Sequence, residues 1–251
     1  KNLDESIYAK KVSECIGTEH YNVIFSNQNI IDLIPKLNTI YDEPFADSSQ
    51  LPTILLSLIT KKKVKVALSG DGGDELFGGY NRYNWARKIK FFYNLPYFLR
   101  TFIGNSLKFI SPLQWDNILT KFPFLRNYPF PGDKIYKLSE VIQFKDFSNV
   151  YPYLISQWQK NNIPLKKNVV FNNSFLLDKD NSFLDLSEQM QLLDINNYLP
   201  DDILTKVDRA SMSCGLEVRV PYLNKDLAEF VWLLDPKKKR SKKILKNVLY
   251  K

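Results

Sequence analysis

Five of the nine glycines in this 251-residue chain fall between Gly70 and Gly79, within Ser69-Gly70-Asp71-Gly72-Gly73-Asp74-Glu75-Leu76-Phe77-Gly78-Gly79-Tyr80. Glycine is entropically costly to order, so such a cluster marks backbone that must turn sharply or be approached closely. The segment directly follows Val64–Leu68, a nearly all-apolar run that reads as a buried parallel strand. A glycine loop after such a strand lies at the carboxyl edge of the sheet, where open α/β sheets bind ligands. Its amides could approach phosphate or ribose, helped by the N-terminus of the helix expected next. Asp71 and Asp74 stand inside the loop, with Glu75 after them. Carboxylates repel a phosphate unless a divalent cation such as Mg²⁺ bridges the two. A structural turn before a capped helix also satisfies the pattern. Neither GxGxxG nor GxxxxGK[ST] is matched.

The flanking sequence predicts an α/β unit. A helix is expected over Asp4–Ile16, a strand over His20–Phe25, and a helical stretch from Ile30 to Leu37 kinked at Pro35. Tyr41–Gln50 reads as an acidic loop, followed by a helix over Leu51–Lys62. Residues 1–90 thus form an α/β part. Residues 91–251 are expected to be mostly helical, with helices and long loops to about Asn181 and then helices over Leu184–Leu199, Val207–Gly215, Lys225–Leu234 and Ser241–Tyr250. Neither repeats nor a linker appear, so one compact unit is expected.

Composition narrows the function classes. The chain has one histidine, His20, which makes a zinc site or a Ser/His/Asp triad a poor prospect and suggests a structural role for that ring. Two distant cysteines, Cys15 and Cys214, fit a reduced, cytoplasmic setting. There is no apolar run long enough to span a membrane, and the first residues do not resemble a signal peptide. The net charge of +8 is spread over short runs such as Lys61-Lys62-Lys63 and Lys237–Lys243, and reads as solvated surface rather than a nucleic-acid face. Trp85, Phe91, Phe92, Tyr93, Tyr97 and Phe98 are expected to form a core between helices rather than a base-stacking platform.

Val66-Ala67-Leu68 through Gly79-Tyr80 resembles the signature of the synthetase domain of glutamine-dependent asparagine synthetases. Four further segments agree in order: Tyr41–Ser49, Tyr198–Arg209, Leu216–Leu223 and Lys242–Lys246. The resemblance covers most of the chain and is weak from about Phe91 to Asn181. It implies a pyrophosphatase-loop ATPase with a Rossmann-like parallel sheet (adenine nucleotide alpha hydrolase-like, partial). That domain activates aspartate with Mg²⁺ and ATP through β-aspartyl-AMP and passes it to ammonia released from glutamine by a separate glutaminase domain. Carried over by position, Ser69 and Gly70 contact the nucleotide together with Gly72 and Gly73. Asp71 serves intermediate formation, Asp74 binds Mg²⁺, and Lys242 (Lys243 if the alignment slips by one) holds the charge of departing pyrophosphate. Glu217 and Arg219 could brace the site or form an ion pair within a helical layer. Asp201 and Asp202 could meet a substrate amine or cap a helix. A homodimer is compatible with the resemblance.

The family's Ser-Gly-Gly-x-Asp-Ser loop, its glutaminase and its later basic segment are not found. The chain is therefore expected to be incomplete at both ends, and by itself to bind Mg-ATP weakly and make no asparagine. Relatives amidating a sugar or peptide carboxylate, or a non-catalytic RNA-binding fragment, are the alternatives.

Overall fold

A computed structural model describes residues 6–122, 131–156 and 184–249. The architecture is mostly helical, with a small parallel sheet, consistent with an α/β fold.

Helix α1 spans Ser6–Ile16 and ends at Gly17, whose φ of +67° is left-handed. The strand expected at His20–Phe25 does not form. Ile24 is 89% exposed, and among the described residues no neighbouring strand supplies partners for its backbone. Two short helices follow, α2 at Asn27–Ile31 and α3 at Leu37–Tyr41, separated by a 3₁₀ turn at Ile34–Lys36 that contains Pro35. α4 covers Gln50–Lys61.

Strand β1, Val66–Leu68, pairs in parallel with β2, Glu217–Arg219, in the register Val66↔Glu217, Ala67↔Val218 and Leu68↔Arg219. The parallel strand appears where expected, but its burial does not: Leu68 is 75% exposed. β2 was hidden in the sequence because three residues reading polar, apolar, polar carry too little periodicity to register. The Glu217–Arg219 pair consequently lies on a strand, exposed, and not within a helical layer.

Beyond the glycine segment come α5 (Gly73–Leu76), α6 (Asn81–Tyr93), α7 (Tyr97–Lys108), α8 (Pro112–Leu119), α9 (Pro131–Val141) and α10 (Val150–Ile155). Ser111 caps α8 reciprocally with Gln114, and Pro112 occupies its first turn. The helix expected over Leu184–Leu199 divides. α11 is Leu186–Leu193, capped by Asp185 with Glu188; it continues as a π-helix over Asp194–Leu204 and then as α12, Thr205–Met212. Pro200 lies inside the π segment, where its missing N–H removes a donor from the ladder. α13 spans Lys225–Leu233, α14 Pro236–Lys239 and α15 Lys243–Leu249.

Among the described residues, three apolar clusters tie these elements together. Ile54 of α4 packs with Ala210 of α12, Leu33 and Tyr41. Tyr83, Ala86 and Ile89 of α6 pack with Met190 and Leu193 of α11, and with Val141, Val150 and Tyr151. Leu76 and Phe77 pack with Val231 of α13 and, at the margin, with Ile244 and Leu245 of α15. Of the aromatic run, Trp85 and Tyr93 join the second cluster, but Phe91 and Phe98 are about two-thirds exposed, so only part of that run is core.

Candidate functional site

The glycine-rich segment is an extension of the sheet. Ser69 N–H donates to the Arg219 carbonyl at 2.9 Å, carrying the β1–β2 ladder one residue into the turn. Ser69 Oγ then donates to Asp71 Oδ2 at 2.5 Å, while the Asp71 amide points back to Ser69 Oγ at 3.4 Å. Gly72 has φ +78°, and a Cβ there would come within 2.7 Å of Leu223 Cδ2. A Cβ on Gly73 would press on the Tyr222 ring at 3.1 Å. These two glycines are therefore required by the turn and by its seat on Tyr222 and Leu223. The helix expected next is only the single turn α5, too short for the dipole contribution anticipated from its N-terminus.

The far end of the segment meets the chain's C-terminal part. Ser241 N–H donates to the Gly78 carbonyl at 3.0 Å and Lys242 N–H to the Phe77 carbonyl at 2.9 Å. Ser241 and Lys242 both take left-handed φ values, +52° and +57°, unusual for residues with side chains. This strap delivers Lys242 Nζ to 2.9 Å from Asp74 Oδ1. Gly79 lies beneath the pair: a Cβ there would fall 1.8 Å from Asp74 Oδ1 and 2.6 Å from Lys242 Cε. The strap is anchored on α11, where buried Lys239 pairs with Glu188 at 3.3 Å and Arg240 Nη2 with Asp185 at 2.7 Å. Lys239 also lies over the Trp232 ring, 4.3 Å from its centroid.

Behind the turn is a polar core that sequence reading missed. Glu75 is 1% exposed; its side chain accepts from Tyr80 OH at 2.8 Å, and its carbonyl from Gln191 Nε2 at 2.8 Å. Burial pushes the Glu75 carboxyl up, partly opposed by the Tyr80 hydrogen bond. Asp194, fully buried, accepts from Arg82 Nε at 2.8 Å, from Tyr151 OH at 2.7 Å and from Tyr83 OH. Burial raises Asp194, with Arg82 pulling the other way. The Arg82 guanidinium lies 4.0 Å from the Tyr80 ring centroid and 4.7 Å from that of Tyr198. Two signals were legible: an arginine two residues after the glycine segment, and an aspartate embedded in Leu192-Leu193-Asp194-Ile195.

The acidic loop and the Tyr198–Arg209 segment also meet. Lys206 Nζ lies 2.5 Å from Asp47 Oδ2 and 2.8 Å from Ser49 Oγ. Burial would raise Asp47, but hydrogen bonds from Lys206 and Ser49 outweigh it and hold the carboxyl below its ordinary range. Asp202 is raised by burial and by the charge of Asp47, and Tyr198 is pushed up to about 12 by burial and by Asp202. Asp201 is exposed, and so is His20.

The predicted residues thus fall in two neighbouring places: Ser69, Gly70, Asp71 and Gly72 in the turn, and Gly73 and Asp74 in the first turn of α5, where the C-terminal strap brings Lys242 to Asp74. Lys243 begins α15, and it is Lys242 that reaches Asp74. Among the described residues no three His, Cys, Asp or Glu side chains are grouped as a metal centre. A cavity of about 610 Å³ opens beside Asn84, Trp85, Arg87 and Lys134 and is lined by none of these predicted residues. Among the described residues, no helix is long and apolar enough to cross a membrane.

The chain is similar in sequence to known proteins over most of its length. The chain is 35% identical over 212 residues to the putative asparagine synthetase [glutamine-hydrolyzing] 2 of Methanocaldococcus jannaschii, covering 83% of this chain and 38% of that protein. It is 28% identical over 225 residues to asparagine synthetase [glutamine-hydrolyzing] 1 of Bacillus subtilis, covering 90% of this chain and 33% of that protein. The chain therefore spans a little over a third of the length of these relatives at most. Asparagine synthetase [glutamine-hydrolyzing] 1 of Arabidopsis thaliana is 38% identical over a shorter stretch of 89 residues, 34% of this chain and 15% of that protein. No solved structure matches. The asparagine synthase family profile matches residues 1–251 in full, and the chain belongs to that family.

Proposed function

We propose that this chain carries the nucleotide-handling part of an ATP-dependent carbon–nitrogen ligase, which activates the side-chain carboxylate of aspartate and transfers it to ammonia. The observation that carries the reading is the 2.9 Å approach of Lys242 to Asp74 beside the glycine turn. An adenylating site needs a carboxylate able to hold a cation and a cation able to hold phosphate charge in one place. In a Rossmann-like arrangement of the pyrophosphatase-loop type, β1 and β2 are two of the parallel strands and Ser69–Gly73 is the turn at their carboxyl edge.

The proposed chemistry has two steps. A carboxylate oxygen attacks the α-phosphorus of ATP, the bond to the bridging oxygen breaks, and pyrophosphate leaves. Ammonia then attacks the acyl carbon of β-aspartyl-AMP, AMP departs and a proton is released. Ser69, Gly70, Gly72 and Gly73 contact the nucleotide, Asp71 serves formation of the intermediate, and Lys242 stabilises the charge growing on pyrophosphate. Mg²⁺ typically takes one or two carboxylates, with phosphates and waters completing its shell. Asp74 fits that demand, being 37% exposed and adjacent to the turn, and Mg²⁺ there would neutralise phosphate charge. The relatives are named glutamine-hydrolyzing, which favours a glutaminase unit as the ammonia source. A cytoplasmic setting belongs to the same reading, with Cys15 and Cys214 both free thiols.

The test is pyrophosphate release from ATP by the protein carrying this chain, supplied with Mg²⁺, ammonia and one of several carboxylates. Release that requires aspartate, with asparagine as product, is expected. Release with a sugar or peptide carboxylate instead would move the assignment to another amidated acceptor. No carboxylate-dependent release would overturn the ligase reading.

A further inference from the structure

We infer that Lys242 and a divalent cation compete for the carboxylate of Asp74, so that the lysine holds the metal position until a metal-bound nucleotide arrives. This rests on the reading of Asp74 as a metal ligand. The difficulty it resolves is a loop that must receive phosphates while carrying Asp71 and Asp74. Without a cation, Asp74 would repel the incoming anion. The ammonium of Lys242, 2.9 Å from Oδ1, supplies that cation from within the chain.

Three features support an exchangeable pair over a structural one. The Lys242 and Asp74 side chains are each 37% exposed, whereas neighbouring Lys239 and Glu188 are 2% and 11% exposed in their own pair. The strap is pinned by Lys239, by Arg240 and by the backbone bonds of Ser241 and Lys242, so its position does not depend on the Lys242 side chain. The lysine stem is a flexible chain of four carbons, and the absence of a side chain at Gly79 is what lets the Lys242 and Asp74 ends lie directly against the backbone there. A carboxylate oxygen occupied by an ammonium cannot also bind Mg²⁺ without like-charge repulsion. Phosphates remove the conflict, because they offer oxygens to both cations. The lysine can then move from Asp74 onto phosphate while the metal takes the carboxylate.

The test uses Mn²⁺ as a probe, followed by electron paramagnetic resonance without nucleotide, on the 251-residue chain. K242M is expected to bind Mn²⁺ roughly two- to fivefold more tightly than wild type, the range set by a half-exposed ion pair. K242R, which keeps the charge, is expected to stay at wild-type affinity, and D74N to lose the site; circular dichroism checks that each variant is folded. Unchanged or weaker binding by K242M, with D74N losing the site, would overturn the competition alone. Wild-type affinity in D74N would overturn the metal reading and the competition with it.

Discussion

Arg82 donates its Nε–H to Oδ2 of Asp194 across 2.8 Å, and Asp194 has no exposed surface. The pair ties α6, which starts immediately after the glycine segment, to the π-helix that continues α11. Two tyrosine hydroxyls complete the carboxylate's contacts, and Tyr80 and Tyr198 lie against the guanidinium. D194A would leave Arg82 charged and without its main partner. A loss of about 3–5 kcal/mol is expected from breaking a buried pair on one side. Urea denaturation monitored by circular dichroism measures it, and D194N should lose less because the amide still accepts hydrogen bonds.

The glycines of the segment should divide by mechanism. G72A places a Cβ at φ +78° against Leu223, and a cost of about 1–2 kcal/mol for the left-handed conformation alone is expected. In G79A the atoms displaced are the ends of Asp74 and Lys242, which can swing away. That variant should keep most of its stability and lose pyrophosphate release. Thermal unfolding and a pyrophosphate assay on the two variants separate the effects.

Lys206 and Asp47 are both largely buried, at 10% and 18% side-chain exposure. K206M leaves Asp47 without its cation, and a loss approaching 3 kcal/mol is expected for a pair that is not fully buried. The Asp47 carboxyl is held below its ordinary value, so its contribution is present above the unfolded value of about 3.9 and disappears as pH falls through the folded one. Acid titration of stability should therefore show a shallower loss in K206M than in wild type.

Glu75 works in the opposite direction. Its folded-state value is raised by burial, so the folded protein binds the extra proton. Its contribution is full below the unfolded value of about 4.3 and declines as pH rises through the folded one. E75Q keeps an oxygen for Tyr80 OH and does not ionise. Denaturant midpoints measured from pH 4 to 8 should fall less steeply in E75Q.

Much of the candidate site was legible in order along the chain. The glycine cluster after an apolar run located the turn, and the acidic residues within it marked Asp71 and Asp74. Family resemblance singled out Lys242. Helix ends followed local chemistry, as at Gly17, Ser111 with Pro112, and Gly215 with its left-handed φ of +71°. The failures were equally local. Tyr21, Val23 and Ile24 have strand composition, but a strand requires a partner that no sequence window can see. Glu217–Arg219 becomes a strand only because Val66–Leu68 lies beside it.

By itself the sequence determined where the chain must turn, which helices it can start and stop, and the family it belongs to, because these depend on residues close together along the chain. Only the tertiary structure decided that Lys242 reaches Asp74, that Lys206 reaches Asp47, and that Asp194 gathers Arg82, Tyr83 and Tyr151. Those partners are far apart in sequence. Ion pairs and buried hydrogen bonds act over a few ångströms, so they exist only once packing has brought the segments together.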